Sequence, residues 1–241
     1  FDLCSNAFER KQKRSLMDIV FCDEQEPSSN GLTELDEYAQ PALFAVEYAL
    51  AQLWISWGII PKVLLGHSLG EITAACLAGC MTVEETMSLV IIRGHEDIRA
   101  SVDLDALELD VAAINGESIT IVSGPMSSIY KLEDTLKKRQ INSGRLNVVH
   151  AFHSRMMDPI LDKFEQAAAK INYKAPMLPI ISSVTGKTML AAPNASYWRQ
   201  HLRECVQFNV SIDQILNDAL SDIFIEIGPG KTLTSCVGYH R

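Results

Sequence analysis

The sequence predicts an α/β fold in which a parallel sheet is covered by helices on both faces. Short apolar segments bounded by turn residues alternate with amphipathic helical segments along most of the chain, and this alternation favours parallel strands. A smaller α+β unit interrupts the alternation near the middle of the chain. With 241 residues, 47% of them hydrophobic, the chain is long enough to bury a full core.

The first predicted elements lie in residues 41–80. Residues 41–57 carry apolar side chains at helical spacing after Pro41, which suits a first helical turn. Residues 62–65 are short, apolar and bounded by turn signals, as expected of a buried parallel strand. A helix should then run from about residue 70 to residue 78 and end at Gly79.

Further elements are predicted from residue 82 onward. Thr82 and Glu85 form a capping-box pattern that opens a helix towards Ile98. Two strands flank a predicted turn at Asn115 and Gly116. The other elements are these: strands at 109–114, 119–123, 146–149, 178–184 and 223–227, and helices at 126–139 and 156–171.

Composition excludes several classes of function. The 30 acidic residues outnumber the 21 basic ones, and a net charge of −9 gives no positive field that would attract nucleic acid. No apolar segment approaches the roughly 20 residues of a membrane span, so a soluble, cytoplasmic protein is expected. The six cysteines lack the spacing of a zinc site and are expected to be reduced and mostly buried, with Cys76 and Cys80 packed in the core.

The motif G-H-S-L-G at residues 66–70 lies between a predicted strand and a predicted helix. This context is typical of a nucleophile elbow, a turn so tight that small residues are needed beside the serine. The helix N-terminus would present free N–H groups to a developing oxyanion. Ser68 is therefore the candidate nucleophile.

A serine nucleophile needs a base within hydrogen-bond reach. His67 neighbours Ser68 but should point elsewhere, as part of a pocket wall. Three other histidines lie in charged contexts and are expected at the surface: His95, His201 and His240. His150 and His153 remain, both at a junction between a strand and a helix, and their spacing does not distinguish between them.

Five sequence blocks, taken together, resemble one known family. The blocks are GHSLGE at 66–71, QPALFA at 40–45, RG at 93–94, HAFHS at 150–154 and EIGPGKTL at 226–233. They are similar, in the same order, to acyltransferase domains of modular polyketide synthases, which are related to malonyl-CoA:acyl carrier protein transacylases. The resemblance implies an α/β-hydrolase-like large subdomain with a parallel sheet, residues 1–104 and 151–241, and a small ferredoxin-like subdomain, residues 105–150.

The resemblance implies a covalent mechanism. Ser68 would be acylated by malonyl-CoA with His153 as the base, oriented by a backbone carbonyl, so that Glu71 and Asp158 are expected to be surface or capping groups. The malonyl group would then pass to the phosphopantetheine arm of an acyl carrier protein. Neighbouring ketosynthase and linker segments are the other implied partners, with no nucleic acid, membrane, metal or bound cofactor.

The resemblance also assigns substrate-binding residues. Arg93 would hold the malonyl carboxylate, since a guanidinium offers a planar fork of donors. Gln40 and His67 would line the acyl pocket. Phe152 would fill the space that an α-methyl branch needs, and Leu69 stands where methylmalonyl-specific domains usually have Gln; both favour malonyl.

This chain departs from the family pattern at three places. Family members begin with a strand and a G-Q-G loop that contributes to the oxyanion hole, whereas this chain starts after that point, so the N–H of Leu69 is the expected remaining donor. The path from Arg93 to Leu109 is short, and Arg155 replaces the usual Pro. Both subdomains are thus expected to be incomplete. The alternatives are a non-catalytic structural module of a megasynthase and a serine esterase.

Overall fold

The computed structural model describes residues 1–21, 31–94, 109–116, 118–146 and 150–238, without the side chains of 31–37 and 92–94. Several predictions lie outside these residues. They are the surface positions of His95 and His240, the continuation of a helix to Ile98, and the strand over 147–149.

The main sheet consists of three short strands in the described part of the chain. Strand β1, Leu64–Leu65, runs parallel to β4, Ile180–Ile181, and β4 pairs in antiparallel register with β5, Thr188–Met189. The predicted strand at 62–65 is therefore confirmed in its last two residues, and the one at 178–184 is confirmed at residues 180–181. Both isoleucines of β4 are fully buried, which places this sheet against the core.

Helices supply most of the regular structure. Their bounds are α1 Asp2–Gln12, α2 Leu16–Phe21, α3 Gly31–Ser56, α4 Leu69–Leu77, α5 Val83–Gly94, α6 Met126–Lys138, α7 Leu161–Ala168, α8 Ala195–Arg203, α9 Phe208–Asn217 and α10 Thr232–Val237, with a 3-10 helix over Arg155–Ile160 before α7. Among the described residues, none of the helices is both long and apolar enough to cross a membrane.

Two local predictions about the helices have different outcomes. The capping box is confirmed, because Thr82 N donates to Glu85 Oε2 at 2.9 Å and Glu85 N donates to Thr82 Oγ1 at 3.2 Å. The predicted helix start at Pro41 is wrong, because α3 begins at Gly31 and Pro41 lies inside it. Proline has no N–H to donate to the carbonyl of residue 37, yet the helix runs through Pro41 without ending.

A two-stranded antiparallel sheet forms the inserted unit. Strand β2, Asp110–Gly116, pairs with β3, Ile119–Ser123, and α6 follows. Two hydrogen bonds join β2 to the segment after α8: Ile114 N donates to Val206 O, and Val206 N donates to Ala112 O, each at 2.9 Å. This connection places the start of β2 beside the end of α8.

The core has two clusters of buried apolar side chains. The larger one joins α1, α3, α4, α5, α7 and α8, and its fully buried members include Phe44, Leu89 and Trp198. The smaller one joins β2 to α9 and α10 through Ala113, Ile212 and neighbouring side chains. The inserted unit thus packs on the C-terminal helices.

The predicted strand at 223–227 is wrong. This segment has no regular secondary structure, and among the described residues it makes no backbone hydrogen bond to β1. A cavity of about 800 Å³ is lined by β1, α3 and residues 221–230, and Ile223 is 78% exposed. An apolar segment becomes a strand only where a neighbour satisfies its N–H and C=O groups, and here the cavity intervenes.

Candidate active site

Ser68 lies at the junction between β1 and α4, with the strained backbone angles φ 54° and ψ −117°. Positive φ is uncommon for a residue with a side chain and often marks a functional turn. A Cβ at Gly66 would overlap the backbone N of Glu71, so position 66 requires glycine. A Cβ at Gly70 would meet no described atom within 4 Å, so the expected crowding holds on one side of the serine and is wrong on the other.

The structure brings Ser68 and His153 together. Ser68 Oγ lies 2.8 Å from His153 Nε2, and His153 Nδ1 lies 2.9 Å from the carbonyl oxygen of Glu204. A carbonyl can only accept, so Nδ1 carries the proton of the neutral imidazole and Nε2 is the acceptor for the Ser68 hydroxyl. This is the protonation state that a general base needs.

His153 is fixed on several sides. Its side chain is buried, its backbone N donates to Leu202 O at 3.2 Å, and its φ of 58° lies in the left-handed region. The ring of His150 instead lies 5.5 Å from the ring of Phe152. Phe152 itself is half-buried and packs against the larger core cluster. Of the two histidines that spacing left open, His153 is the one that contacts Ser68.

His67 contacts the inserted unit through its side chain. Its Nε2 lies 2.8 Å from Asn115 Oδ1, and its ring lies 5.5 Å from that of Phe208. It also lines the cavity behind β1. The predicted turn at Asn115 and Gly116 is wrong, because both residues belong to β2 and Asn115 is buried. The Asn-Gly pair is a common turn signal in a sequence. In the structure, however, Asn115 contacts the ring of His67.

Glu71 and His201 are buried, so their predicted surface positions are wrong. Glu71 Oε2 accepts from Ser183 N at 2.7 Å, Oε1 accepts from the Tyr197 hydroxyl, and His201 Nε2 lies 3.6 Å from Oε2. Burial, and then the adjacent Glu71 carboxyl, raise the pKa of Tyr197. The charged sequence context concealed a polar network that joins α4, the end of β4 and α8.

Asp158 meets the expectation for a surface group. Its side chain is 56% exposed, and Oδ1 accepts from Arg203 Nε at 2.6 Å. His201 lies on α8 with its ring 6.0 Å from the ring of His153. The network of Glu71 therefore reaches the neighbourhood of the candidate base, whereas Asp158 stays at the surface.

The remaining predicted site residues lie on three helices, α3, α4 and α5. Leu69 begins α4, where the first N–H groups of a helix have no intrahelical partner. Gln40 is half-buried in α3, and its Oε1 is buried without a hydrogen-bond partner among the described residues. Arg93 belongs to α5, and its side chain lies outside the described part of the chain.

The predicted burial of the cysteines is confirmed for Cys76 and Cys80. Burial raises the pKa of Cys76 to about 12 and that of Cys80 to about 11, so both are protonated thiols at neutral pH. In the described ranges, no group of three or more His, Cys, Asp or Glu side chains could hold a metal ion.

Polyketide synthases are among the curated relatives of this chain. Mycoketide-CoA synthase from Mycobacterium tuberculosis is 34% identical over 258 residues, covering 98% of this chain and 6% of that protein. Polyketide synthase GfsA from Streptomyces halstedii is 32% identical over 242 residues, covering 92% of this chain and 3% of that protein. The chain thus spans only a small part of these relatives.

Solved structures with the same α/β fold include the acyltransferase domain from the second module of the salinomycin polyketide synthase. It has a TM-score of 0.83 and 32% identity, covering 99% of this chain and 58% of that chain. A malonyl CoA-acyl carrier protein transacylase from Clostridium perfringens has a TM-score of 0.84 at 22% identity, covering 99% of this chain and 81% of that chain, which shows a shared fold.

The sequence profile of the acyl transferase domain matches residues 1–238, almost the whole chain. The two relatives of this chain described above are polyketide synthases, and the salinomycin structure is an acyltransferase domain of such a synthase. The chain therefore belongs to the acyl transferase domain family.

Proposed function

We propose that this domain transfers a malonyl group from malonyl-CoA to the phosphopantetheine thiol of an acyl carrier protein through an ester on Ser68. The observation that carries the proposal is the 2.8 Å contact between Ser68 Oγ and His153 Nε2, with Nδ1 bound to the carbonyl of Glu204. A serine that donates to an imidazole in the correct tautomer is the arrangement of an activated nucleophile.

The acylation step uses this contact directly. Ser68 Oγ adds to the thioester carbonyl carbon while its proton passes to His153 Nε2. The C–S bond then breaks, and coenzyme A leaves as a thiol after taking that proton. The carbonyl of Glu204, although neutral, stabilises the transient imidazolium because it accepts from Nδ1 throughout.

The transfer step runs the same chemistry with a different thiol. The phosphopantetheine thiol adds to the ester carbonyl and gives its proton to His153. His153 returns that proton to Ser68 Oγ as the C–O bond of the ester breaks. In both steps the N–H of Leu69, at the start of α4, faces the developing oxyanion and stabilises it.

Four side chains select the acyl group in this proposal. Arg93 pairs with the free carboxylate of malonyl, because a guanidinium binds a carboxylate through two parallel hydrogen bonds. Gln40 and His67 contribute polar contacts, and the buried Oε1 of Gln40 is available to a substrate donor. Phe152 occupies the space beside the α-carbon, which disfavours a methyl branch.

The domain would act within a larger synthase. Residues 1–104 and 151–241 form its large unit, and residues 105–150 form the inserted unit. The acyl carrier protein and the neighbouring ketosynthase and linker segments are its proposed partners. The sizes of the curated relatives support this setting, since the chain covers 3% to 6% of the two described above.

Intact-mass measurement tests the proposal. Incubation with malonyl-CoA should add one malonyl group to the protein, and added carrier protein should remove that group and become malonylated. Ser68→Ala should abolish both events. Loss of the adduct to water without carrier protein would indicate an esterase, and absence of any adduct on the wild-type chain would indicate a structural module.

Substrate competition tests the selecting residues. Arg93→Ala should lower kcat/KM for malonyl-CoA far more than for acetyl-CoA, because only malonyl carries the carboxylate. Phe152→Ser should improve the use of methylmalonyl-CoA modestly, since one methyl group changes discrimination by only about 1–3 kcal/mol. Unchanged ratios in either variant would remove that residue from the acyl pocket.

A further inference from the structure

Asp110, the first residue of β2, makes an unusual set of contacts with Arg155. Its Oδ2 accepts from both the backbone N and the side-chain Nε of Arg155, at 3.0 and 2.9 Å, and its Oδ1 accepts from Arg155 Nη2 at 3.2 Å. Arg203 Nη2 also lies 3.8 Å from Oδ1. One carboxylate of the inserted unit therefore faces two arginines from other parts of the chain.

Both arginines flank the groups that hold the imidazole of His153. Arg155 follows His153 by two positions and is the first residue of the 3-10 helix. Arg203 directly precedes Glu204, whose carbonyl accepts from His153 Nδ1. Asp110 thus contacts the loop that carries the base and the helix end that orients it.

The geometry distinguishes this cluster from an ordinary surface ion pair. The exposed fractions of the side chains are 15% for Asp110, 33% for Arg155 and 25% for Arg203. Burial alone would raise the pKa of Asp110, but hydrogen bonds from Arg155 and the charges of both arginines outweigh it and lower that pKa. A charged carboxylate with a two-point guanidinium contact is geometrically specific.

The backbone of His153 requires such support. Its φ of 58° is unfavourable for a residue with a side chain and persists only where surrounding contacts impose it. The hydrogen bond from Arg155 N to Asp110 fixes the chain just after this residue. The bond from His153 N to Leu202 O fixes it on the other side.

We propose that Asp110 is a positioning residue for the base: through Arg155 and Arg203 it holds the His153 loop and the Glu204 carbonyl at the spacing that brings Nε2 to Ser68. The inference rests on the proposed function, in which His153 takes the proton of Ser68. It assigns the inserted unit a role in proton transfer although none of its side chains needs to contact the acyl group.

Asp110→Asn and Asp110→Glu test this role, with Glu133→Gln as the matched control. Glu133 belongs to the same unit and pairs with Arg145 at 2.5 Å on the surface. In transfer from malonyl-CoA to carrier protein, Asp110→Asn should lower kcat at least about tenfold and leave KM within about twofold, because misplacement of a catalytic group by a fraction of an ångström is costly. Asp110→Glu should recover part of the loss, and Glu133→Gln should match the wild type.

A double-mutant cycle with Arg155→Gln sharpens the test. The variant with both changes should be no slower than Asp110→Asn alone, because both substitutions remove the same link. Should Asp110→Asn fail to fold, Arg155→Gln alone is measured, and a loss of kcat without a change in KM is expected, smaller than that of Asp110→Asn because the contact with Arg203 remains. Wild-type kcat in the folded variant, independent effects of the two substitutions, or a loss confined to KM or Tm would overturn the inference.

Failure of the inference and failure of the proposed function are distinguishable. Ser68→Ala and His153→Ala are measured in the same assay. If either retains wild-type transfer, the proposed function is wrong whatever Asp110 does. If both lose transfer and Asp110→Asn keeps the wild-type kcat, only the positioning role is wrong.

Discussion

The serine side and the histidine side of the site are held by different kinds of contact. Ser68 is placed by its immediate neighbours, because the turn between β1 and α4 folds Gly66 against the backbone of Glu71. His153 is placed by distant residues, namely Leu202, Glu204 and, through Arg155, Asp110. The candidate nucleophile is therefore placed by local structure, whereas the position of the candidate base depends on the assembly of the whole fold.

Breaking the serine side at Gly66 should have the largest effect. Gly66→Ala places a methyl group on the backbone N of Glu71, so the turn must open and Ser68 must move. We expect loss of Ser68 acylation, measured as the malonyl adduct by intact mass. Gly70→Ala is the matched control, since its methyl group meets no described atom within 4 Å. Equal behaviour of the two variants would show that the turn is not set by close approach at Gly66.

Removal of the Glu71 carboxyl should break the link between the two sides. Glu71→Ala leaves the Ser183 N–H buried without its acceptor and leaves the Tyr197 hydroxyl with Ser182 Oγ alone, which should lower the free energy of unfolding by about 2–5 kcal/mol. Denaturant titration measures this loss. Glu84→Ala removes a surface ion pair with Arg10 and should cost at most about 1 kcal/mol. Similar losses in the two variants would contradict a buried network at Glu71.

The smallest of these effects is a pH dependence of stability that arises at Glu47, which contacts the helix following Ser68. Glu47 accepts from Thr73 Oγ1 of α4 at 2.6 Å, and burial raises the pKa of Glu47 to about 7, against a smaller opposing effect of that hydrogen bond. The folded state keeps this proton to higher pH than the unfolded state, so stability falls as pH rises from about 4.5 to about 7. Above about pH 7, the stability that the protonated Glu47 contributed is lost completely.

Glu47→Gln should remove this dependence. Relative to the wild type, the variant should gain roughly 1–2 kcal/mol of unfolding free energy between pH 4.5 and pH 8, after allowance for screening by solvent. Denaturant titration of both proteins across this range measures the gain. A constant difference between them would mean that Glu47 titrates normally.

The same contrast decides which features could be predicted from sequence. The elbow at residues 66–70, the capping box of Thr82 and the strand β1 are confirmed because each depends on a few adjacent residues or on a short apolar segment. The α/β fold class is confirmed for the same reason. Local patterns survive in the folded chain when nothing distant competes with them.

Features that depend on distant contacts could not be predicted in this way. His201 and Glu71 lie in charged stretches of sequence, yet both are buried where Tyr197 and His201 of α8 contact the Glu71 carboxyl of α4. Asn115 resembled a turn residue until β2 placed it against His67. Residues 223–227 have the composition of a strand but lie across a cavity from β1. Each error arose where a partner far along the chain determined the outcome.

The rate of Ser68 malonylation in His153→Ala and His150→Ala tests the central claim most directly. Peptide mapping should place a single malonyl group on Ser68 in the wild type and in His150→Ala at similar rates. His153→Ala should slow the reaction by about 10²–10⁴, the usual contribution of a general base. Slower malonylation in His150→Ala than in His153→Ala, or an adduct on any other residue, would contradict the assignment of Ser68 and His153.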